Sequence, residues 1–400
     1  MPPDQSIPTW PQLCDEQVEA ANRVLRSGQL NYWTGNEGKQ FEREYADYVG
    51  QPHAIAVSNG TVALELALQA YGIGPGDEVI VPARTFIATA SCVVARGAKP
   101  VCADVDTDSQ NITADTVAAQ ITPRTRAVIP VHLAGWPCDM PAICELAARH
   151  KLLVVEDCSQ AHGAQIGDRH VGSFGDAAAF SFCQDKIITT AGEGGMLLLR
   201  DEIAWRRAWS YKDHGKDYDE VHRHSSGNGF RWLHHSFGTN GRMTEVQAAV
   251  GRVALRHLED WVSKRRSNAA ALTELLRARS ELRIPSPPSS VRHSYYKWYA
   301  FLRPSQLAVG WSRDRLLNAV TDRGAKCYSG SCGEIYLERA FRDIHPHGLR
   351  LPKAQELADT SLMLLVDPLQ SDAAVRATAD DLIAALEMAA SSSTDDLYAA

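Results

Sequence analysis

The sequence predicts an α/β protein: a large domain with a mostly parallel sheet flanked by helices, followed by a smaller α+β C-terminal domain. Three observations carry this. Short apolar runs alternate with helical patterns from about residue 54 to 200. The runs are continuously apolar, as strands buried on both faces are. A loop containing Pro285, Pro287 and Pro288 then precedes a shorter, mixed set of elements.

In order, the strand-like runs are 54–57, 78–81, 100–103, 127–130, 152–156, 177–182 and 196–199. Between several of them lie amphipathic stretches, such as 62–71, where Ala63, Leu66, Ala67 and Ala70 recur at helical spacing. A long helical pattern over 244–266, opened by Met243-Thr244-Glu245, has the length to bridge two domains. After the proline loop, 295–302 reads as a strand, 314–323 as a helix and 380–390 as a closing helix. The expected division is an N-terminal arm plus large domain over 1–258 and a small domain over 259–400.

Composition narrows the function. The 44% hydrophobic and 22% charged residues are ordinary globular usage, which excludes disorder along the whole chain. Lysine and arginine number 41 against 48 acidic residues, for a net charge of −7, and no dense basic run occurs; nucleic acid is not an expected partner. Asp4, Asp15, Glu16 and Glu19 interrupt the start, and no apolar run reaches membrane-spanning length, so a soluble, cytoplasmic protein is expected. Nine scattered cysteines argue against a disulfide framework, and neither Cys327 and Cys332 nor the histidines 214, 222, 224, 234 and 235 have a compact ligand spacing. No metal is expected.

Ligands of such sheets sit beyond the carboxyl ends of the strands. There, Ser58-Asn59-Gly60-Thr61 ends one run and opens a helix, a place for an anion, though a plain N-cap reads the same way. The run 152–155 ends in Glu156 and Asp157, with Gln160 and His162 just beyond. An acid there suits a protonated ring nitrogen or the cap of the next turn. The run 177–182 contains Ser181, and Lys186 follows ahead of Gly192-Glu193-Gly194-Gly195. Alone, that lysine reads as a surface charge. Together these features are what pyridoxal 5'-phosphate requires: a cradle for its phosphate, a carboxylate for its pyridinium and a lysine for its aldehyde.

The chain resembles the DegT/StrS-type sugar aminotransferases, which are fold-type-I pyridoxal-phosphate enzymes. The resemblance runs from Gly35 to about Pro368 and rests on SNGTVAL at 58–64, PARTFIATA at 82–90, VEDCSQAHGA at 155–164, FSFCQDKIITTAGEGG at 180–195 and GTNGRMTEVQAA at 238–249. It implies that Lys186 joins the cofactor aldehyde as a Schiff base and that Asp157 pairs with the pyridine nitrogen. Gln160 would contact the ring hydroxyl and Phe86 stack on the ring. Gly60, Thr61 and Ser181 would hold the phosphate, with Asn240 reaching the phosphate of a partner subunit in a homodimer. Glu156, His162, Cys158 and Cys183 would be structural neighbours. Related sugar 3-dehydratases have histidine where this chain has Lys186, so transamination is implied, from glutamate or glutamine to a keto sugar, nucleotide-linked, in amino-sugar biosynthesis.

Alternatives are a keto-cyclitol acceptor of the inosose type, a non-catalytic regulatory protein that binds the cofactor, and a dinucleotide oxidoreductase. The last lacks a G-x-G-x-x-G turn after the first strand. Two departures from the family pattern bear on the acceptor. Lys297 stands where many relatives have histidine and suits a diphosphate, a carboxylate or a plain surface position. The stretch 212–237 is longer than usual and would shape the acceptor pocket or a subunit interface.

Overall fold

A computed structural model describes residues 10–223, 230–346 and 348–391. The strands in chain order are β1 (His53–Val57), β2 (Glu78–Pro82), β3 (Lys99–Ala103), β4 (Thr125–Val128), β5 (Leu153–Asp157), β6 (Gln165–Ile166), β7 (Arg169–His170), β8 (Ala177–Ser181) and β9 (Gly195–Leu199), then β10 (Leu282–Arg283), β11 (Val291–Arg292), β12 (Trp298–Leu302), β13 (Cys327–Tyr328) and β14 (Ser361–Leu364). The seven expected runs all join one sheet, in the order β1-β9-β8-β5-β4-β2-β3. Only β9 runs against the others, pairing antiparallel with both β1 and β8. The carboxyl ends of β1, β2, β4, β5 and β8 therefore open on one side, because the β5–β8, β4–β5 and β2–β4 ladders are parallel.

Burial on both faces explains the continuous apolar runs: β2, β8 and β9 are buried along their whole length. Among the covering helices are α2 (Glu37–Val49), α3 (Gly60–Ala70) and α4 (Ala88–Ala95), while α1 (Asp15–Ser27) packs through Ala20 and Val24 on Ala249 and Val253 of the long helix. Helix α3 buries Ala63, Leu64, Leu66, Ala67, Leu68 and Ala70. A helix apolar on nearly every face belongs inside a protein, and its first turn is thereby fixed at the end of β1.

The long helix spans Glu245–Leu276, ten residues beyond the expected stretch. Thr244 starts it with a capping box: its hydroxyl accepts from the Gln247 N–H, and the Gln247 side chain accepts from the Thr244 N–H. Leu258 and Val262 pack in the core around Phe180 and Phe182, whereas Ala269, Leu272 and Leu276 pack with Trp298, Leu362 and Leu382. The second core covers the four-stranded antiparallel sheet β10-β12-β14-β13.

Two extents differ from expectation. The closing helix is Asp372–Ser391, because Val375 and Ala379 extend its buried stripe toward the N-terminus. The strand expected from 295 begins at Trp298: Tyr295 has φ +49°, and residues 294–297 bend over Ala134 and Gly135. No helix among the described residues is long and apolar enough to cross a membrane.

Candidate active site

Helix α3 supplies an anion cradle. Asn59 caps it, its side-chain oxygen accepting from the Val62 N–H at 2.9 Å and its carbonyl from the Ala63 N–H at 3.2 Å. The N–H groups of Gly60 and Thr61 are left without a protein acceptor among the described residues, at the positive end of the helix. Ser181, at the end of β8, faces them: a Cβ on Gly60 would lie 2.8 Å from the Ser181 Cβ.

Ser181 is itself anchored. His162 is buried, and loss of solvation holds its imidazole down at a pKa of about 3, so the ring is neutral. Its Nε2 donates to the Ser181 carbonyl at 2.9 Å, which leaves Nδ1 to accept from the Tyr45 hydroxyl at 2.8 Å. Asp157, buried at the end of β5, accepts from the Thr89 hydroxyl at 3.0 Å and from the Ser159 N–H at 3.2 Å. Thr89 in turn meets the Thr85 hydroxyl at 2.9 Å. Between these threonines Phe86 stands 65% exposed, a large flat apolar group on the surface beside a buried carboxylate. Gln160 accepts from the Ala134 N–H at 2.9 Å through its side-chain oxygen, so its NH2 is the end free to donate.

Lys186 lies in the turn after β8. Ile187 and Ile188, both fully buried, anchor that turn, and the Trp10 indole N–H donates to the Lys186 carbonyl at 2.8 Å. The Lys186 ammonium donates to the Tyr296 hydroxyl oxygen at 3.4 Å and lies 3.6 Å from Asp185. Tyr296 donates its own proton to Asp185. Burial opposes the Asp185 charge, but Lys186, the Tyr296 hydroxyl and Lys297 outweigh it and hold the carboxyl below its usual range. Burial drives the Lys297 ammonium down to about 8; Arg265 and Lys186 act the same way and Asp185 against. Arg265 is buried above Trp10, donates to the Tyr296 carbonyl at 3.3 Å and is lowered to about 10, chiefly by burial.

Asn240 is exposed, and its neighbour Gly241 accepts from the Ser58 N–H at 2.9 Å, so the segment runs beside the cradle of its own chain. Glu156 does different work: it accepts from the N–H groups of Gly172, Phe174 and Gly175 at 2.7–2.8 Å and from His132 at 3.0 Å. His132 accepts from the Cys138 N–H through Nδ1. Of the His132, Glu156 and Cys158 group, the first two are thus joined in a hydrogen-bonded clamp whose imidazole has no lone pair left for an ion. His214, His222, His234 and His235 form no ligand cluster among the described residues, and His224 lies outside them. All nine cysteines are free.

Several members of this site carry no local signal in the sequence. Thr89 falls inside PARTFIATA, three residues beyond Phe86, and helical spacing alone could have pointed to it. Trp10 and Tyr296 reach Lys186 from 176 and 110 residues away, and Arg265 holds both of them, over the Trp10 ring and on the Tyr296 carbonyl.

Residues 11–382 match the DegT/DnrJ/EryC1/StrS aminotransferase family. The chain belongs to that family. An aminotransferase of Psychrobacter cryohalolentis of known structure is 46% identical, covers 96% of this chain with 99% of its own, and superposes with a TM-score of 0.93. The UDP-N-acetyl-3-dehydro-α-D-glucosamine 3-aminotransferase of Acidithiobacillus ferrooxidans is 40% identical over 72% of this chain and 73% of its own. The L-glutamine:2-deoxy-scyllo-inosose aminotransferase of Streptomyces kanamyceticus is 38% identical over 75% and 71%. This chain is therefore an aminotransferase that depends on pyridoxal 5'-phosphate. The residues fit that group: the absence of a Cβ at Gly60 lets Ser181 close on the helix start, where two N–H groups are without a protein acceptor among the described residues.

Proposed function

We propose that this aminotransferase moves an amino group from glutamate or glutamine to a nucleotide-linked keto sugar in amino-sugar biosynthesis. The observation that carries the proposal is the arrangement of Asp157, Lys186 and the Gly60–Ser181 cradle at the carboxyl ends of β5, β8 and β1. When bound, pyridoxal 5'-phosphate supplies an electron sink for the bond broken at the donor's α-carbon.

The chain does the rest. Gly60, Thr61 and Ser181 hold the phosphate, and Asp157 keeps the ring nitrogen protonated, its own orientation set by Thr89 and Ser159. Phe86 covers one face of the ring, and the Gln160 NH2 donates to the ring oxygen. Lys186 would hold the aldehyde and, as a free amine, would move the proton between the donor's α-carbon and C4′. Tyr296, hydrogen-bonded to both Lys186 and Asp185, holds that amine in place. General base catalysis of this kind contributes about 10²–10⁴-fold.

A homodimer belongs to the same proposal, with Asn240 serving the partner's phosphate. Phe230, Trp232 and Phe237, on the segment leading to Asn240, are 78%, 82% and 98% exposed, as side chains covered by a second copy would be. A cytoplasmic location goes with these readings.

The likeness to the inosose enzyme keeps a cyclitol acceptor as the second reading. Incubation with glutamate and either UDP-N-acetyl-3-dehydroglucosamine or 2-deoxy-scyllo-inosose, read by mass spectrometry, separates the two. Amination of the UDP sugar is expected. Amination of inosose alone would transfer the assignment, and amination of neither, nor of the corresponding dTDP- and GDP-linked keto sugars, would remove both.

A further inference from the structure

We propose that Lys297 binds the α-carboxylate of the amino donor. This rests on the transamination reading above and adds a substrate contact to it. The segment 294–297 is laid against the site by two hydrogen bonds, from the Ser294 N–H to the Gly135 carbonyl at 3.0 Å and from the Lys297 N–H to the Ala134 carbonyl at 3.4 Å. Ala134 also donates to Gln160, so one residue joins the ring-oxygen side of the site to Lys297. The Lys297 ammonium lies 4.5 Å from the centre of the Tyr296 ring, and the Lys186 ammonium lies 5.0 Å from the same centre. Both ammonium groups border the same ring, and Lys186 is near enough to help hold the Lys297 ammonium down.

The acids nearby have partners. Asp185 receives the Tyr296 hydroxyl and faces Lys186, Asp108 pairs with Arg283, and the Asp367 carboxylate accepts from the Leu369 N–H. Lys297 has no acceptor and no carboxylate within bonding distance among the described residues, although it is half-buried. A partly desolvated cation that rests on a ring face and has no bonded carboxylate gains when an anion arrives.

The chemistry says which anion. Lys186 must reach the donor's α-carbon, and the carboxylate is attached to that carbon, so a cation beside the same ring meets it. Glutamate and glutamine share the α-carboxylate, so both should depend on Lys297 alike.

The test uses the cofactor-loaded enzyme as wild type, Lys297→Gln and Lys297→Arg. L-α-Methylglutamate has no α-proton to lose, and its titration by the change in visible absorption reads donor binding apart from turnover. Calorimetric titration with UDP reads the acceptor side. Lys297→Gln should keep the visible band of the lysine-bound cofactor, weaken α-methylglutamate about tenfold and leave UDP unchanged, with Lys297→Arg restoring most of the loss. Unchanged α-methylglutamate affinity, or a loss confined to UDP, would overturn the proposal. So would a Lys297→Gln enzyme without the band, since Lys297 would then serve the cofactor. A wild type without the band would instead fail the transamination reading itself.

Discussion

Asp157 and His162 lie five residues apart, and burial acts on them in different ways. Asp157 keeps two hydrogen-bond donors beside a site that will bring a cation, whereas His162 is closed in by Tyr45, Phe180 and Phe182 and stays neutral. Replacing Asp157 by Asn preserves shape and removes the charge that holds the ring nitrogen protonated. Turnover should fall by about 10²-fold or more while the protein still takes up cofactor, which steady-state assay beside absorption will show. His162 gives a pH prediction. Its folded pKa of about 3 lies below the ordinary 6.5, so between these values the unfolded chain binds the extra proton. Stability is fully present above about 6.5 and is lost as pH falls toward 3, at up to roughly 1.4 kcal/mol per unit from this group. Urea unfolding at pH 7, 6, 5 and 4 should show that slope, and His162→Gln should flatten it. Gly60, Asp157 and Ser181 could be picked out as candidates because each sits at or just past a strand's carboxyl end, and Lys186 only because it follows them in the turn after β8. Tyr296 was not, since only the packing of a distant segment brings its hydroxyl to Lys186.

Helix ends do much of the positioning at the next scale. Glu245, at the start of the long helix, accepts from the N–H groups of Glu37 and Gly38, so one carboxylate caps α2 while its own residue opens another helix. Its near-complete burial and two orphaned donors predict that Glu245→Ala lowers stability by about 1–3 kcal/mol, measurable by denaturant titration. At α3 the first turn is the functional one. Gly60→Ala would put its Cβ 2.8 Å from the Ser181 Cβ, a clash that would push apart the helix start and the serine that frame the cradle. The expected result is at least about tenfold weaker cofactor binding, read by equilibrium titration, with near-native circular dichroism; unaltered affinity would move the phosphate elsewhere. The elements themselves were readable where burial is uniform, as in β2, β8 and β9. The strand expected from Tyr295 fell short because a positive φ there turns the chain over Gly135, a close approach that no apolar pattern encodes.

At the scale of the whole molecule, the mostly parallel sheet and the second, antiparallel one follow from apolar runs in the first half and mixed elements after the proline loop. We place the division at 258/259, within the long helix. Val262, past that point, still packs in the first core, and the second core takes over only from Ala269. Quaternary structure is less legible, because exposed aromatics such as Phe237 show that a surface is unusual and carry no partner's coordinates. Shared sites nonetheless give a sharp expectation. Mixed Lys186→Ala and Asn240→Ala subunits should recover activity that neither has alone, up to about one site in four after subunit exchange; no recovery would place Asn240 in its own chain's site. The central claim is that Lys186 carries the cofactor and moves the donor's proton. Its most direct test is the near-ultraviolet and visible spectrum of wild type and Lys186→Ala, each reconstituted with pyridoxal 5'-phosphate, before and after glutamate. Wild type should show the band of the lysine-bound cofactor and lose it on glutamate, while Lys186→Ala should never show it. A reconstituted wild type without that band, or a band that Lys186→Ala retains, would contradict the account.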